Sequence, residues 1–202
     1  MSAVIDRMPR RMAVLILAVA LVANPTAGHA KSRVHADPGR DVVHVDDNHR
    51  VTPAPNRRDG DIIRTRVWHS DSRVRMRVKF AELRRWPRFP RPNAVYTRVV
   101  TNEGVRRWIY VKVTNPERGD LHMFRPDGEY ARCKVRYSVS YRKNVVTIGF
   151  PRTCLSRPRW VRIGLEVLTP PIEGIGWFKD DAWRRGVQET GNNTLSPRIF
   201  RG

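Results

Sequence analysis

From residue 62 onward, apolar and polar side chains alternate with a period of two, and many of the apolar positions hold β-branched or aromatic residues. Successive side chains of a strand point to opposite faces, so this period predicts strands with one buried face. The segments that show it are 62–69, 73–81, 95–101, 105–114, 129–141, 145–150 and 160–168. Turn sequences separate them, which predicts an all-β fold, an antiparallel β-sandwich of jelly-roll type.

The first hairpin can be put into register from the sequence alone. Asp71 and Ser72 lie between two alternating segments and fit a two-residue loop. The predicted opposite pairs are His69 with Val74, Val67 with Met76, Thr65 with Val78 and Ile63 with Phe80. This register collects the apolar side chains on one face, which we expect to be buried.

A second hairpin is predicted with Lys143 and Asn144 as its two-residue loop. Its predicted pairs are Tyr141 with Val146, Val139 with Ile148 and Tyr137 with Phe150. The same register continued brings Cys133 opposite Cys154, and these are the two cysteines of the chain. In an exported protein this favours a disulfide over two free buried thiols.

The first 30 residues have the order of a secretory signal peptide. Arg7, Arg10 and Arg11 precede an apolar run over 13–23, and a small-residue end follows at Ala30. The run is about half as long as a bilayer-spanning helix requires. We therefore predict a cleaved signal over 1–30, an Asp/Pro-rich lead-in over 31–61 with one short strand at 42–45, a β-sandwich domain over 62–202, and a secreted, extracellular product.

The chain carries a formal net charge of +20, and most of its basic residues are arginines. The lead-in is balanced in charge, so the excess falls on the sandwich domain. A field of this sign attracts polyanions. The alternative is that arginine simply occupies ordinary surface positions.

Two basic surfaces are candidates for binding. The outward face of the first hairpin collects Arg64, Arg66, Trp68, Arg75, Arg77 and Lys79. The segment 84–92 interleaves guanidinium groups, aromatic rings and prolines, and its candidate contacts are Arg85, Trp86 and Arg88. The partners that fit are an anionic polysaccharide or cell-wall polymer, or a nucleic acid. The alternatives are a solvated arginine-rich face and a loop whose aromatic residues close one edge of the sandwich.

Aspartates crowd the lead-in of this otherwise basic protein. Calcium is bound by six to eight oxygens, often from carboxylates on loops. The candidate ligands are Asp37, Asp41, Asp59 and Asp61, with Asp180 or Asp181 as additions from the far end of the chain. The alternative is that these carboxylates fill turns and pair with the surplus arginines. No other cofactor is predicted.

Several segments resemble sequences of uncharacterised exported proteins of high-GC Gram-positive bacteria. They are Gly60-Asp61-Ile62, Phe80-Ala81-Glu82-Leu83, Phe150-Pro151-Arg152-Thr153-Cys154-Leu155 and Asp180-Asp181-Ala182. The opening Asp37-Pro38-Gly39-Arg40-Asp41, followed by Gly60-Asp61-Ile62, is distantly similar to the start of DOMON-like carbohydrate-binding β-sandwich modules. The first resemblance implies an exported β-sandwich and bears more on fold and compartment than on function.

The sequence contains no nucleophile elbow, zinc-protease helix, phosphate loop or metal-spaced Cys/His set. The prediction is therefore a non-catalytic extracellular or envelope-associated binding module that contacts anionic polymer or glycan through a basic face. Two alternatives stay open. One is a secreted hydrolase acting on a glycan, whose site assembles from distant residues. The other is a structural protein without a small ligand.

Overall fold

The alternating segments form two antiparallel sheets that pack against each other, which confirms the predicted β-sandwich. The structure is a computed structural model, and it describes residues 31–85, 93–113, 121–171, 176–184 and 193–202. The predicted signal peptide lies outside the described residues, as do Trp86 and Arg88 of the predicted basic loop. Within the described ranges, no helix has the length and apolar character needed to cross a bilayer.

The first sheet has five strands, and we call it the five-stranded sheet. In spatial order they are β1 (Lys31–Ala36), β4 (Ile62–His69), β5 (Arg73–Phe80), β10 (Val145–Pro151) and β9 (Arg136–Ser140). The two hairpins predicted from the sequence thus lie side by side, because β5 pairs with β10.

The second sheet is larger. Its spatial order is β3 (Val51–Pro53), β2 (Val43–Val45), β12 (Trp177–Asp181), β11 (Trp160–Thr169), β6 (Ala94–Thr101), β7 (Arg106–Lys112) and β8 (Leu121–Phe124). A short strand β13 (Ile199–Phe200) pairs with the start of β11. The inward faces of the two sheets form one core, in which Met76, Phe80, Ile148, Ile163 and Leu165 are fully buried.

The first hairpin follows the predicted register except at its far end. His69 lies opposite Val74, and the pairing continues as predicted to Thr65 opposite Val78. A β-bulge between Ile62 and Arg64 then places Ile62, not Ile63, opposite Phe80. Ile62 is fully buried whereas Ile63 is half-buried, so the bulge selects which isoleucine enters the core.

The second hairpin is shifted from the predicted register by two residues. Val139 lies opposite Val146, and Tyr137 lies opposite Ile148, because the loop spans four residues, 141–144, instead of two. Asn144 takes a left-handed conformation with φ 49° and closes this loop. A shift of two residues leaves every side chain on its predicted face, so the inward direction of Tyr137 and Val139 was predicted correctly.

The disulfide between Cys133 and Cys154 is confirmed, with a Cα–Cα distance of 5.8 Å. It does not form by the predicted strand pairing. The strand β10 ends at Pro151, and a short 3-10 helix (Arg152–Leu155) follows it. This helical turn carries Cys154 to Cys133, which lies just before β9.

The lead-in contributes strands to both sheets. The predicted strand near residues 42–45 is present as β2, whereas no periodic pattern in the sequence predicted β1 or β3. Most side chains of β1 are exposed, because β1 is an edge strand that pairs only with β4 among the described residues. An edge strand without a full buried face lacks the alternation by which strands are recognised in a sequence.

Replacing both Cys133 and Cys154 with serine should lower the free energy of unfolding by roughly 3 kcal/mol, because the bond closes a loop of about 20 residues in the unfolded chain. Urea titration of parent and variant measures this difference. A loss below about 1 kcal/mol would contradict a stabilising role for the bond.

His69 predicts a pH dependence of stability. The ring is fully buried, and its Nδ1 lies 3.1 Å from the carbonyl oxygen of Ile199, to which the neutral ring donates. Burial lowers the pKa of His69 below 6.5, and the nearby Arg152 and Arg201 add to this effect. The folded state then binds fewer protons than the unfolded state, so stability should fall as pH drops below about 6.5.

The variant His69→Gln removes this titration and keeps a side-chain amide that can donate to Ile199. The difference in unfolding free energy between parent and variant should therefore change below about pH 6.5, by up to roughly 1.4 kcal/mol per pH unit. Urea titrations from pH 5 to pH 8 measure it. Parallel pH profiles would contradict a depressed pKa for His69.

Candidate functional site

The outward side of the five-stranded sheet carries seven cations, and we call this surface the basic face. Its residues come from three strands, and they are Arg64, Arg66, Arg73, Arg75, Arg77, Lys79 and Arg136. The inward positions of β4 and β5 are held by the apolar core, so the alternating arginines must point outward.

The register places these cations next to one another. As predicted, Arg64 lies opposite Lys79, Arg66 opposite Arg77, and Trp68 opposite Arg75. Outward neighbours are about 7 Å apart along a strand and about 5 Å apart across a strand pair. The cations therefore form a grid whose spacing the backbone determines.

Sequence reasoning missed part of this face. Arg136 joins it because Gly149 lies opposite both Arg75 on β5 and Arg136 on β9. Arg73 belongs to it as well, at the next outward position of β5 beyond Arg75. The alternation predicts that both side chains point outward, but only the pairing of β5 with β10 places the two hairpins on one surface.

The charge of the basic face is not compensated by any described carboxylate. No aspartate or glutamate occupies an outward position of its five strands. Among the described residues, no carboxylate lies within 4.0 Å of the seven cations, and the ion pairs lie elsewhere. Those pairs are Asp59 with Arg57, Glu82 with Arg84, Asp127 with Arg125, Asp71 with Arg152 and Arg201, and Glu166 with Lys179.

Trp68 orders two of the arginines. The guanidinium of Arg66 lies 4.7 Å from the centroid of the indole ring, and that of Arg75 lies 5.5 Å from it. Arg66 also donates to Ser32 Oγ at 3.2 Å. Because both guanidinium groups lie over the ring, Trp68 holds these two cations in place and presents little open ring surface for stacking.

Two open depressions lie on the basic face. One has a volume of about 430 Å³ and is lined mainly by Val34, Arg64, Arg66, Arg77 and Lys79. The other, of about 370 Å³, lies over Gly149, whose missing side chain leaves room between Arg75 and Arg136. Elongated anionic groups could lie in either of them against several cations.

The predicted basic loop is described only at its start. The guanidinium of Arg85 lies 5.3 Å from the centroid of the Tyr141 ring. Tyr141 is in the loop of the second hairpin, not on the basic face. The described ring contact of Arg85 is therefore with this loop and not with a residue of the basic face.

A second constellation is acidic, and we call Asp37, Asp41 and Asp180 the acidic cluster, in which Asp37 and Asp180 are buried and Asp41 is half-buried. One carboxylate oxygen from each lies within 4.8 Å of the others. Asp37 and Asp41 bound the loop that passes from β1 in one sheet to β2 in the other, and Asp180 is on β12. Gly39 and Arg40 between them have φ angles of 69° and 62°, so the loop turns sharply enough to bring its two ends together.

The pKa values of the acidic cluster are raised. Burial and the neighbouring Asp41 raise the pKa of Asp37 to about 8, against a smaller opposing effect of the Gly39 backbone. Burial, Asp37 and Asp41 raise the pKa of Asp180 well above its usual range. The pKa of Asp41 is also raised by burial, and Arg184 lowers it in part.

The other predicted metal ligands are placed differently. Asp61 lies beside the cluster, and both of its carboxylate oxygens accept from the Arg40 backbone N–H at 3.2 Å. Asp59 contacts a different set of groups: its carboxylate accepts from Asn93 and from the Arg84 backbone, and it pairs with Arg57. The Asp181 carboxylate accepts from the backbone N–H groups of Trp183 and Thr194.

Comparison with known proteins adds no family. No protein-family model matches the chain, and neither does any curated protein. The resemblance to DOMON-like modules stays a prediction, and the function has to be inferred from the two constellations themselves.

Proposed function

We propose that this protein is a non-catalytic, exported binding module that holds an anionic polysaccharide on its basic face. The observation that supports the proposal best is the absence of compensating charge. Seven cations share one sheet surface, and no described carboxylate lies within 4.0 Å of them.

Such a surface is costly to the folded chain. Like charges directly opposite on a strand pair, such as Arg66 and Arg77, destabilise a sheet by a few tenths of a kcal/mol or more. An anionic polymer removes this repulsion and releases its own counterions to solvent. The same contacts therefore reduce the repulsion between the cations of the sheet and bind the ligand.

The arrangement favours a polysaccharide over a nucleic acid. Proteins that hold single-stranded nucleic acid combine cations with aromatic rings on which the bases stack. The described aromatic ring of this face, Trp68, lies under Arg66 and Arg75. The face thus offers fixed positive charge, which suits sulfate, phosphate or carboxylate groups on a sugar chain.

The proposed location is outside the cell. The disulfide between Cys133 and Cys154 suits an oxidising compartment, and the pattern of residues 1–30 is typical of a signal peptide. Cell-wall and matrix polymers with anionic groups are available there. Structural association with such a polymer needs no catalytic group.

The alternative of a secreted glycan hydrolase predicts a different site. Hydrolysis of a glycosidic bond needs two carboxyl groups beside an accessible sugar. The lining of the two depressions on the basic face contains no carboxylate, and Asp37 and Asp180 are almost completely buried. A binding role therefore accounts for the basic face, which lacks the carboxyl groups that hydrolysis would need there.

Replacing Arg64, Arg66, Arg75 and Arg77 with glutamine should weaken binding to immobilised heparin or purified teichoic acid roughly 10- to 100-fold near 50 mM salt. The slope of log affinity against log salt should become shallower by roughly one unit for each arginine that no longer neutralises an anionic group of the polymer. Retention and equilibrium binding over a salt series measure both quantities.

A matched control removes the same charge from other exposed positions, by changing Arg50, Arg106, Arg132 and Arg159 to glutamine. This control should retain most of the parent affinity, because none of its positions is on the basic face. Equal losses in the two variants would contradict a specific face. Tighter binding of the parent to double-stranded DNA than to either polysaccharide would contradict the choice of polymer.

A further inference from the structure

The acidic cluster lies where the two sheets are joined. The chain leaves the five-stranded sheet at Asp37 and enters the second sheet after Asp41. Asp180 on β12 accepts a hydrogen bond from the backbone N–H of Ile62, the first residue of β4. The carboxylate of Asp180 thus already connects the two sheets through Oδ2, whereas its Oδ1 is buried without a hydrogen bond.

The remaining oxygens of the cluster are poorly satisfied, since the Gly39 backbone lies near Asp37 but makes no hydrogen bond of ordinary length and angle to it. Both carboxylate oxygens of Asp37, both of Asp41 and Oδ1 of Asp180 are buried without a hydrogen bond of ordinary length and angle. Asp37 is 7% exposed and Asp180 is 1% exposed. Buried polar groups are nearly always satisfied, so five unpartnered oxygens in one place indicate a missing ligand.

No described cation side chain forms an ion pair with these oxygens, although the charge of Arg184 lowers the pKa of Asp41 in part. Arg184 is buried nearby, but its guanidinium donates to the main-chain oxygen of Asp41 at 2.9 Å and forms no ion pair with the described carboxylates of the cluster. The charged groups that act on the pKa values of Asp37 and Asp180 are all aspartates. Ionised carboxylates this close in a buried site repel strongly unless a positive charge lies between them.

We infer that Asp37, Asp41 and Asp180 bind one calcium ion that ties the lead-in to both sheets. This site is independent of the proposed polymer binding, because the cluster is buried and made of other residues than the basic face. One oxygen from each residue within 4.8 Å of the others is compatible with a single central ion at calcium–oxygen distances of about 2.3–2.6 Å.

The donor set selects the class of metal. The cluster offers only carboxylate oxygens, whereas zinc sites are built from nitrogen and sulfur ligands with few oxygens. Magnesium demands near-ideal octahedral geometry and retains several waters, which suits a buried cluster of carboxylates poorly. Calcium accepts irregular sets of six to eight oxygens, including both oxygens of one carboxylate.

Calcium should therefore stabilise the chelator-treated, full-length protein. At a calcium concentration about a hundred times the Kd, Tm should rise by roughly 5–10 °C, whereas magnesium at the same concentration should have a much smaller effect. Isothermal titration with calcium chloride should show one ion per chain. The net charge of +20 repels cations from the rest of the surface, so such binding identifies a specific site.

Two variants separate metal binding from a purely structural role. Asp37→Asn and Asp180→Asn should each abolish the calcium-induced rise in Tm. Asp37→Asn should also raise Tm in chelator, because the buried Asp37 carboxyl, whose pKa is raised to about 8, must either take up a proton or repel its neighbours when the chain folds, and an amide does neither. The matched control is Asp47→Asn, an exposed aspartate on the turn that follows β2, which should keep the full response to calcium.

The calcium response of the parent and the three variants decides whether the cluster binds metal. A calcium-dependent rise in Tm in the parent and in Asp47→Asn, with none in the two cluster variants, supports the site. No calcium binding by titration in the parent would overturn it, and so would a response that survives in both cluster variants. Neither outcome depends on polymer binding, so a failure here leaves the proposed function to its own test.

Discussion

The pairing of β5 with β10 is the contact on which the surface of this protein depends. It joins two hairpins that are distant in sequence, since Lys79 lies opposite Val145 and Arg73 lies opposite Pro151. Their apolar sides then face the second sheet together, and the side chains at the intervening positions must share the opposite surface. Because the side-chain period of a strand is two, burial of Val74, Met76 and Val78 forces Arg73, Arg75 and Arg77 outward. The core and the basic face are therefore two results of one register.

Local patterns were sufficient for the faces of the strands and insufficient for their exact pairing. The sequence predicted that Trp68 lies opposite Arg75, because a two-residue loop and strict alternation leave one register. It did not predict the bulge before Arg64, since two adjacent isoleucines, Ile62 and Ile63, fit the core equally well by pattern. The four-residue loop at 141–144 was also missed, because Asn144 suits a left-handed position in loops of either length. Both errors preserve most of the predicted faces, which explains why the fold class was still correct.

The acidic cluster could be predicted from the sequence only in part. Asp37 and Asp41 are close in the chain, so local acidity was enough to single them out. Asp180 reaches them only through the pairing of β12 with β2, which no local pattern specifies. Asp59 looked equivalent to its neighbours, yet its carboxylate contacts Arg57 and Asn93 in a separate network. Composition can thus suggest a group of candidate ligands. The path of the chain between the two sheets determines which of them come together.

The two constellations place the same electrostatic problem in different surroundings. Cations on the basic face lie in contact with water, where ions from solution screen their repulsion at modest cost. The carboxylates of Asp37 and Asp180 have almost no such contact, so their repulsion acts through a medium of low dielectric and must be relieved from within the site. An exposed group of like charges is tolerated in water and can bind a large ligand that exchanges. A buried group of like charges needs a small ligand that stays bound. A flexible polyanion matches the first requirement and a dehydrated divalent cation matches the second, so the sign of the charge determines the sign of each proposed ligand, and burial determines its size.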